Sequence, residues 1–197
     1  MNKIKKTAVI LAGGKSSRMN YINKAFLELN GETFIEKIIK ELSSYEEVII
    51  VSNNRDDYKH LGCRVVKDII PGCGPLSGIH SGLTSASNEN VLFVACDMPF
   101  ISSGFVDYLG NIKDEYEALI PVVKGKIQPL CGIYNKSIVE LVEKELLDNK
   151  FKLIKFLGKV DVKFVNVDEI VNSIDCFLNI NTKEEYNKMT KSEQVKL

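Results

Sequence analysis

Three cations, Lys15, Arg18 and Lys24, follow a Gly13-Gly14 pair within ten residues, and the pair itself closes the short apolar run Ala8 to Leu11. Two glycines behind a buried strand let the main chain turn sharply and approach a ligand, with amide N–H groups free to meet anionic oxygens. Small residues, exposed amides and cations in one loop suit a nucleoside triphosphate. Counting excludes two familiar phosphate motifs. Gly14-Lys15-Ser16 looks like the end of a P-loop, but the glycine required five residues earlier is Val9. The dinucleotide pattern G-x-G-x-x-G fails at Gly13 and at Gly14, because Lys15 or Ser16 stands where the second glycine belongs. The plain alternative for this stretch is a strand-to-turn junction with exposed cations.

Carboxylates and amides recur at equivalent places further on. Asp97-Met98-Pro99 stops Val91 to Cys96, the most apolar run in the chain; Lys67-Asp68 closes Cys63 to Val66; Ser52-Asn53-Asn54-Arg55 follows Glu47 to Val51. An acidic or amide side chain at the carboxyl end of a parallel strand stands where open α/β sheets bind ligands, although each of these residues is also an ordinary turn former. The Gly13-Gly14 loop, Asn54, Asp68 and Asp97 would share one sheet edge.

The elements that must position them follow from patterning. Thr33 with Glu36 forms a capping box ahead of Phe34, Ile35, Ile38, Ile39 and Leu42 at helical spacing. Pro71, Gly72, Gly74 and Pro75 fix an irregular loop from Ile69. Leu76 to Ala86 reads as a helix whose Ser77, Gly78, Ser81 and Gly82 allow close approach to a substrate or to a strand. Strands alternating with helices up to Asp97 predict βαβ units, a mostly parallel sheet and right-handed crossovers. Val91 to Cys96 is the expected central strand. Beyond it, Ala118 to Val123 and Ile127 to Tyr134 read as two strands joined by a hairpin at Lys124-Gly125-Lys126, adding an antiparallel strand. Helices are expected over Lys136 to Asn149 and Phe151 to Leu157, a half-exposed strand over Asp161 to Val167, and a last helix capped by Thr182 with Glu185.

Composition bounds the rest. A chain of 197 residues with 45% apolar content suits one domain, here 1–189, with a polar tail at 190–197. The balance of 26 basic and 26 acidic residues lacks the field of a nucleic-acid binder. Five cysteines, at 63, 73, 96, 131 and 176, contain no C-x-x-C pair, and with His60 and His80 they form neither a disulfide framework nor a zinc pattern. No apolar run is long enough to span a bilayer, so a soluble cytoplasmic protein without a membrane partner is expected.

The run LAGGKSSRM, with Asn23-Lys24-Ala25 and Leu29-Asn30-Gly31, resembles the signature of the molybdenum cofactor guanylyltransferases, nucleotidyltransferases of Rossmann-like fold. Asn20 stands where glycine is usual in that family and Asn23 where aspartate is common. The likeness extends through Lys67-Asp68 with Gly74-Pro75-Leu76-Ser77-Gly78, through Ala95 to Pro99, through Gln128-Pro129-Leu130, and through Asn179-Ile180-Asn181-Thr182. It implies an α/β, single-domain, three-layer fold, with a nucleotide-binding part over about 1–100 and an acceptor-substrate part over about 101–189. It also implies that Leu11, Ala12, Gly13, Gly14, Lys24, Asn54 and Asp68 contact the guanine nucleotide, and that Asp97 holds Mg²⁺. Lys15, Arg18, Lys24 and Asp97 would carry the catalysis, with Asn179 and Asn181 on the pterin side. The implied reaction transfers GMP from GTP to the terminal phosphate of molybdopterin or Mo-molybdopterin, with transient contacts to other cofactor-assembly proteins. Relatives that use CTP tend to show alanine where Gly13 stands. A cytidylyltransferase, another nucleotidyltransferase for a small phosphorylated molecule, and a non-catalytic nucleotide-binding protein are the alternatives.

Overall fold

The computed structural model describes residues 3–13, 23–113, 115–170, 175–178, 180 and 185–187. The expected Gly14 turn, Lys15, Arg18, Asn20, Asn179, Asn181 and Thr182 lie outside the described residues.

In chain order the elements are β1 (Ile4–Leu11), a 3-10 turn (Lys24–Phe26), β2 (Glu28–Leu29), β3 (Glu32–Thr33), α1 (Phe34–Glu41), β4 (Tyr45–Val51) and a 3-10 helix (Arg55–Leu61). Next come β5 (Arg64–Val66), α2 (Pro75–Ser85), β6 (Asn90–Ala95), α3 (Ser103–Gly110), β7 (Ala118–Val123), β8 (Lys126–Ile127) and β9 (Cys131–Asn135). A 3-10 turn (Lys136–Ile138), α4 (Val139–Leu147), α5 (Leu153–Leu157), β10 (Val162–Asn166) and a last 3-10 turn (Asp175–Phe177) complete the order.

The main sheet runs β10-β7-β9-β6-β1-β4-β5, with β8 attached to β7. β1 pairs in parallel with β4 and β6, β4 with β5, and β10 with β7; β9 alone in this order runs against its neighbours, β6 and β7. β6 is thus the middle strand, as the apolar run Val91 to Cys96 predicts. Its neighbour β1 is buried on both faces, and the alternation of a strand divides its side chains: Ala8 and Ile10 face one core, Val9 the other. The first core is closed by Ile35 and Ile38 of α1 and Phe105, Val106 and Leu109 of α3; the second by Leu76, Ile79 and Leu83 of α2, Val142 of α4 and Phe156 of α5. Helices on both faces of a mostly parallel sheet make the three layers.

The capping box of α1 is present: the Thr33 hydroxyl accepts from the Glu36 amide, and the Glu36 carboxylate accepts from the Thr33 amide at 2.9 Å. The small residues of α2 serve packing against the sheet. A Cβ on Gly82 would lie 2.5 Å from Phe93 Cε1, and one on Gly78 would lie 2.8 Å from Leu11 Cδ2. The serines of that helix hold the preceding loop: Ser81 Oγ accepts from the Ile69 amide at 2.8 Å, and the Ser77 hydroxyl donates to the Ile70 carbonyl.

Three expectations are corrected. The strand expected over Ile127 to Tyr134 is broken at Gln128-Pro129-Leu130, because the Gln128 and Cys131 amides bond to Pro121 O and Gln128 O and turn the chain between β8 and β9. The helix expected from Lys136 begins as a 3-10 turn and is α-helical only over Val139–Leu147, and that expected from Phe151 starts at Leu153. Two elements were not anticipated, α3 and the β2–β3 hairpin. The hairpin turns through Asn30 and Gly31 at φ of 56° and 78°, the left-handed pair that an Asn-Gly dipeptide favours.

Candidate active site

All four parallel strands that precede the expected site residues end in register. Leu11 is aligned with Val51 and with Ala95, and Val51 with Val66. The hydrogen bonding continues one residue past the ladder: Ala12 N donates to Val51 O at 3.0 Å, Cys96 N to Leu11 O at 3.1 Å and Ser52 N to Val66 O at 2.9 Å. The chain leaves β1 toward β4 and β5 on one side and returns to β6 on the other, so the crevice between β1 and β6 is the switch point of the sheet. Gly13 and Asp97 flank it.

Lys24 and Asp97, 73 residues apart, meet there: Lys24 Nζ donates to Asp97 Oδ2 at 3.3 Å, with the two side chains 16% and 20% exposed. The 3-10 turn presenting Lys24 begins at Asn23, whose side-chain oxygen accepts from the Ala25 amide at 3.2 Å. Ala25 is fully buried, which anchors the turn to the core while Lys24 reaches the crevice. Asp97 is fixed by main-chain bonds on either side of it, Met98 N to Ala95 O, and Ile180 N to the Asp97 carbonyl at 3.2 Å. Ile180 is itself buried with Leu29 and Phe34, so the last described segments of the chain pack beside the site on the β2–β3 hairpin.

On the other side of β1, Asp68 is held by Asn53 rather than by Asn54. Asn53 Nδ2 donates to Asp68 Oδ2 at 2.8 Å and the Asp68 amide donates to Asn53 Oδ1 at 3.1 Å, a two-bond clamp between the loops after β4 and β5. Asn54 instead donates to Asp57 in the following 3-10 helix. Sequence reasoning singled out Asn54 from a pair of adjacent asparagines; the pair was the signal, and only the tertiary pairing divides the roles. Asn53, Asn54, Arg55, Asp56, Lys59 and Lys67 line a depression of about 370 Å³ at this end of the edge.

Leu11 and Ala12 already use main-chain groups within the protein, whereas a Cβ on Gly13 would meet no atom within 4 Å among the described residues. Burial and the adjacent Asp97 carboxylate push the Cys96 thiol up to about 12, which keeps it a poor nucleophile. Asp97 offers carboxylate oxygen at the rim of the crevice, and among the described residues no group of three or more His, Cys, Asp or Glu gathers into a metal cage. That donor set fits a hard divalent cation that takes most of its ligands from phosphate oxygens and water.

Residues 8–160 match the family described as MobA-like NTP transferase domain. A protein of Clostridium perfringens named probable molybdenum cofactor guanylyltransferase is 53% identical over 98% of this chain and 100% of its own length. One of the same name from Carboxydothermus hydrogenoformans is 39% identical over 94% and 95%. Molybdopterin-guanine dinucleotide biosynthesis protein A of Archaeoglobus fulgidus has the same fold, with a TM-score of 0.81 and 22% identity over 96% of this chain and 99% of that one.

Proposed function

The chain belongs to the MobA-like NTP transferase family, and from that premise we propose that it is a molybdenum cofactor guanylyltransferase, moving GMP from GTP to the terminal phosphate of molybdopterin. The observation that carries the chemistry is the Lys24–Asp97 pair at the switch point of the sheet, 3.3 Å across.

A terminal phosphate oxygen of the acceptor attacks the α-phosphorus of GTP. The new P–O bond forms as the bond from that phosphorus to the bridging oxygen breaks, and pyrophosphate leaves with the electron pair. No covalent protein nucleophile is required. The obstacle is repulsion between anions and the charge that gathers on the leaving group, so the protein's task is to position and neutralise. Lys24 supplies a fixed cation at the crevice, and Lys15 and Arg18 follow the same strand in sequence. Asp97 is the residue that would hold Mg²⁺, which when bound neutralises phosphate oxygens. Gly13 leaves room for the base to approach the strand end, and the Asn53–Asp68 clamp offers polar edges to base or ribose beside Asn54. Asn179 and Asn181 flank Ile180, whose amide bonds to the Asp97 carbonyl, and this supports an acceptor-side role for them.

Among the described residues no helix is long and apolar enough to cross a membrane, and a cytoplasmic location is part of the proposal. The deciding experiment is pyrophosphate release from GTP and from CTP, each with Mg²⁺, with and without molybdopterin. Release that requires both GTP and the pterin establishes the reaction. Release from CTP alone would keep the fold and mechanism and overturn the base assignment; binding of GTP without release would make the protein a receptor.

A further inference from the structure

Tyr58 is a polar group at the site to which the reaction above gives no part. It is fully buried in the 3-10 helix after β4, and its hydroxyl lies between the two segments that carry the site. The oxygen is 3.3 Å from the Ala12 carbonyl oxygen, 2.9 Å from Asn23 Nδ2 and 3.2 Å from Asn23 Oδ1. A phenol has one proton to donate, and Asn23 Oδ1 already accepts from the Ala25 amide. The assignment that satisfies every group has Asn23 Nδ2 donating to Tyr58 and Tyr58 donating to Ala12. The Phe26 ring, centred 5.0 Å away and tilted by 35°, holds the Tyr58 ring from the Lys24 side. Burial raises the pKa of the phenol, so the hydroxyl keeps its proton throughout the neutral range.

We propose that Tyr58 and Asn23 form a staple that fixes the turn presenting Lys24 to the strand end presenting Ala12, Tyr58 acting as a positioning residue for nucleotide transfer. The role rests on the reaction proposed above; the staple itself does not. The turn that carries Lys24 is three residues long and is anchored to the core at the fully buried Ala25. The staple ties that turn through one buried hydroxyl to β1, the most rigidly paired strand at the crevice. A carboxylate at 23 would reverse the first bond, accepting from the Tyr58 hydroxyl rather than donating to it.

Tyr58→Phe, which keeps the ring, and Asn23→Ala cut the staple from either end, and either serves if the other does not fold. Each is expected to lower kcat for GTP-dependent pyrophosphate release by about tenfold, with KM for GTP moving less, as for a misplaced catalytic group. The double variant Asn23→Ala with Tyr58→Phe is expected to lose much less than the product of the two single losses, because both act through one connection. Amide hydrogen exchange without substrate gives the second readout: residues 11–13 and 23–27 should exchange faster together in Tyr58→Phe while the other β-strands do not change. Local loosening with unchanged kcat overturns the positioning role. Exchange unchanged in these two segments, or raised equally everywhere, overturns the staple. If the unaltered protein releases no pyrophosphate with either nucleotide, the proposed reaction has failed, and the exchange pattern alone decides the staple.

Discussion

The two edges of the central sheet are both rich in polar side chains, and they use them differently. At the edge where β1, β4, β5 and β6 begin, Glu47, Arg64, Lys136 and Lys6 are bound into the protein's own framework. Glu47 accepts from the Thr7 hydroxyl at 2.7 Å, from the Ser87 amide at 2.9 Å and from the Ser87 hydroxyl at 3.1 Å, and meets Arg64 at 3.7 Å. The crossover helices end here, and cations meet their last carbonyls: Arg64 reaches Ser85 O, Lys136 reaches Ala86 O and the buried Lys6 reaches Gly110 O, all at 2.9 to 3.0 Å. A cation at a helix C-terminus satisfies orphan carbonyls and opposes the negative end of the dipole. At the opposite edge, side chains reach across loops to one another: Lys24 to Asp97, Asn53 to Asp68. Among the described residues the Asp97 carboxylate is engaged by Lys24 through one oxygen, whereas Glu47 is engaged through both. A polar group wrapped in backbone donors holds the fold; one held by a single long-range partner can exchange that partner for a substrate or a metal ion.

That contrast is sharpest in paired substitutions. Asp97→Ala should lower turnover on the order of a hundredfold or more, comparable to removing one preorganised electrostatic group, while the unfolding midpoint stays near that of the unaltered protein. Retained turnover with unchanged magnesium dependence would remove Asp97 from the site. Glu47→Ala should do the reverse. It leaves the Thr7 and Ser87 donors unpaired at a cost of about 1–3 kcal/mol for each group that stays buried, with kcat per folded molecule unaffected. Burial tends to raise the Glu47 pKa, but hydrogen bonds from Ser87 and Thr7 hold it net below 4.5. Its contribution is therefore present above that value and lost as pH falls through the lower folded one, a loss that denaturant titrations should find missing in Glu47→Ala.

The same change of glycine to alanine gives a third comparison. Gly82→Ala drives a methyl against Phe93 and should destabilise by about 1–3 kcal/mol, read as a lower denaturant midpoint. Gly13→Ala meets nothing among the described residues and should leave the midpoint alone, shifting the ratio of GTP to CTP use instead. A fall in stability at Gly13, or an unchanged nucleotide ratio, would show that Gly13 has no part in base choice.

The smallest effect concerns His80, buried in α2 with Nδ1 lacking a hydrogen-bond partner among the described residues. Burial lowers its pKa below 6.5, with Glu143 opposing the shift. The imidazole is neutral in both states above 6.5; below it the unfolded chain takes up the proton first, so stability falls as pH drops through that value toward the folded one. His80→Leu should flatten this part of the stability profile, and an unchanged profile would assign the acid sensitivity elsewhere.

Much of this was legible in the sequence because it is encoded locally. The apolar runs of β1, β4 and β6, the Thr33–Glu36 box and the Asp and Asn residues past the strand ends need only near neighbours to be recognised. What escaped depends on residues far away. The preference of Asp68 for Asn53 over Asn54 spans 15 residues, and the bond of Tyr58 to Ala12 spans 46. The break at Gln128-Pro129-Leu130 is a turn closed by Cys131 N on Gln128 O at 3.0 Å, and it carries the chain from β7, where Gln128 N meets Pro121 O, to β6, where Leu130 O meets Ala95 N, which no alternation pattern reveals. The β2–β3 hairpin is the exception, since Asn30-Gly31 carries a local turn signal that was read only as part of a longer motif.

The position of β9 bears on whether the protein can be divided. The strands β1, β4, β5 and β6 are complete in sequence by Ala95, yet the strand that covers β6 on its far side is contributed by Cys131–Asn135. A fragment stopping after Asp97 would leave the apolar row Val91 to Ala95 with unpaired amides and carbonyls, a template for aggregation. A nascent chain leaving the ribosome passes through that stage. The central strand stays incomplete until about 40 further residues have been synthesised, a delay that follows from the order β7-β9-β6.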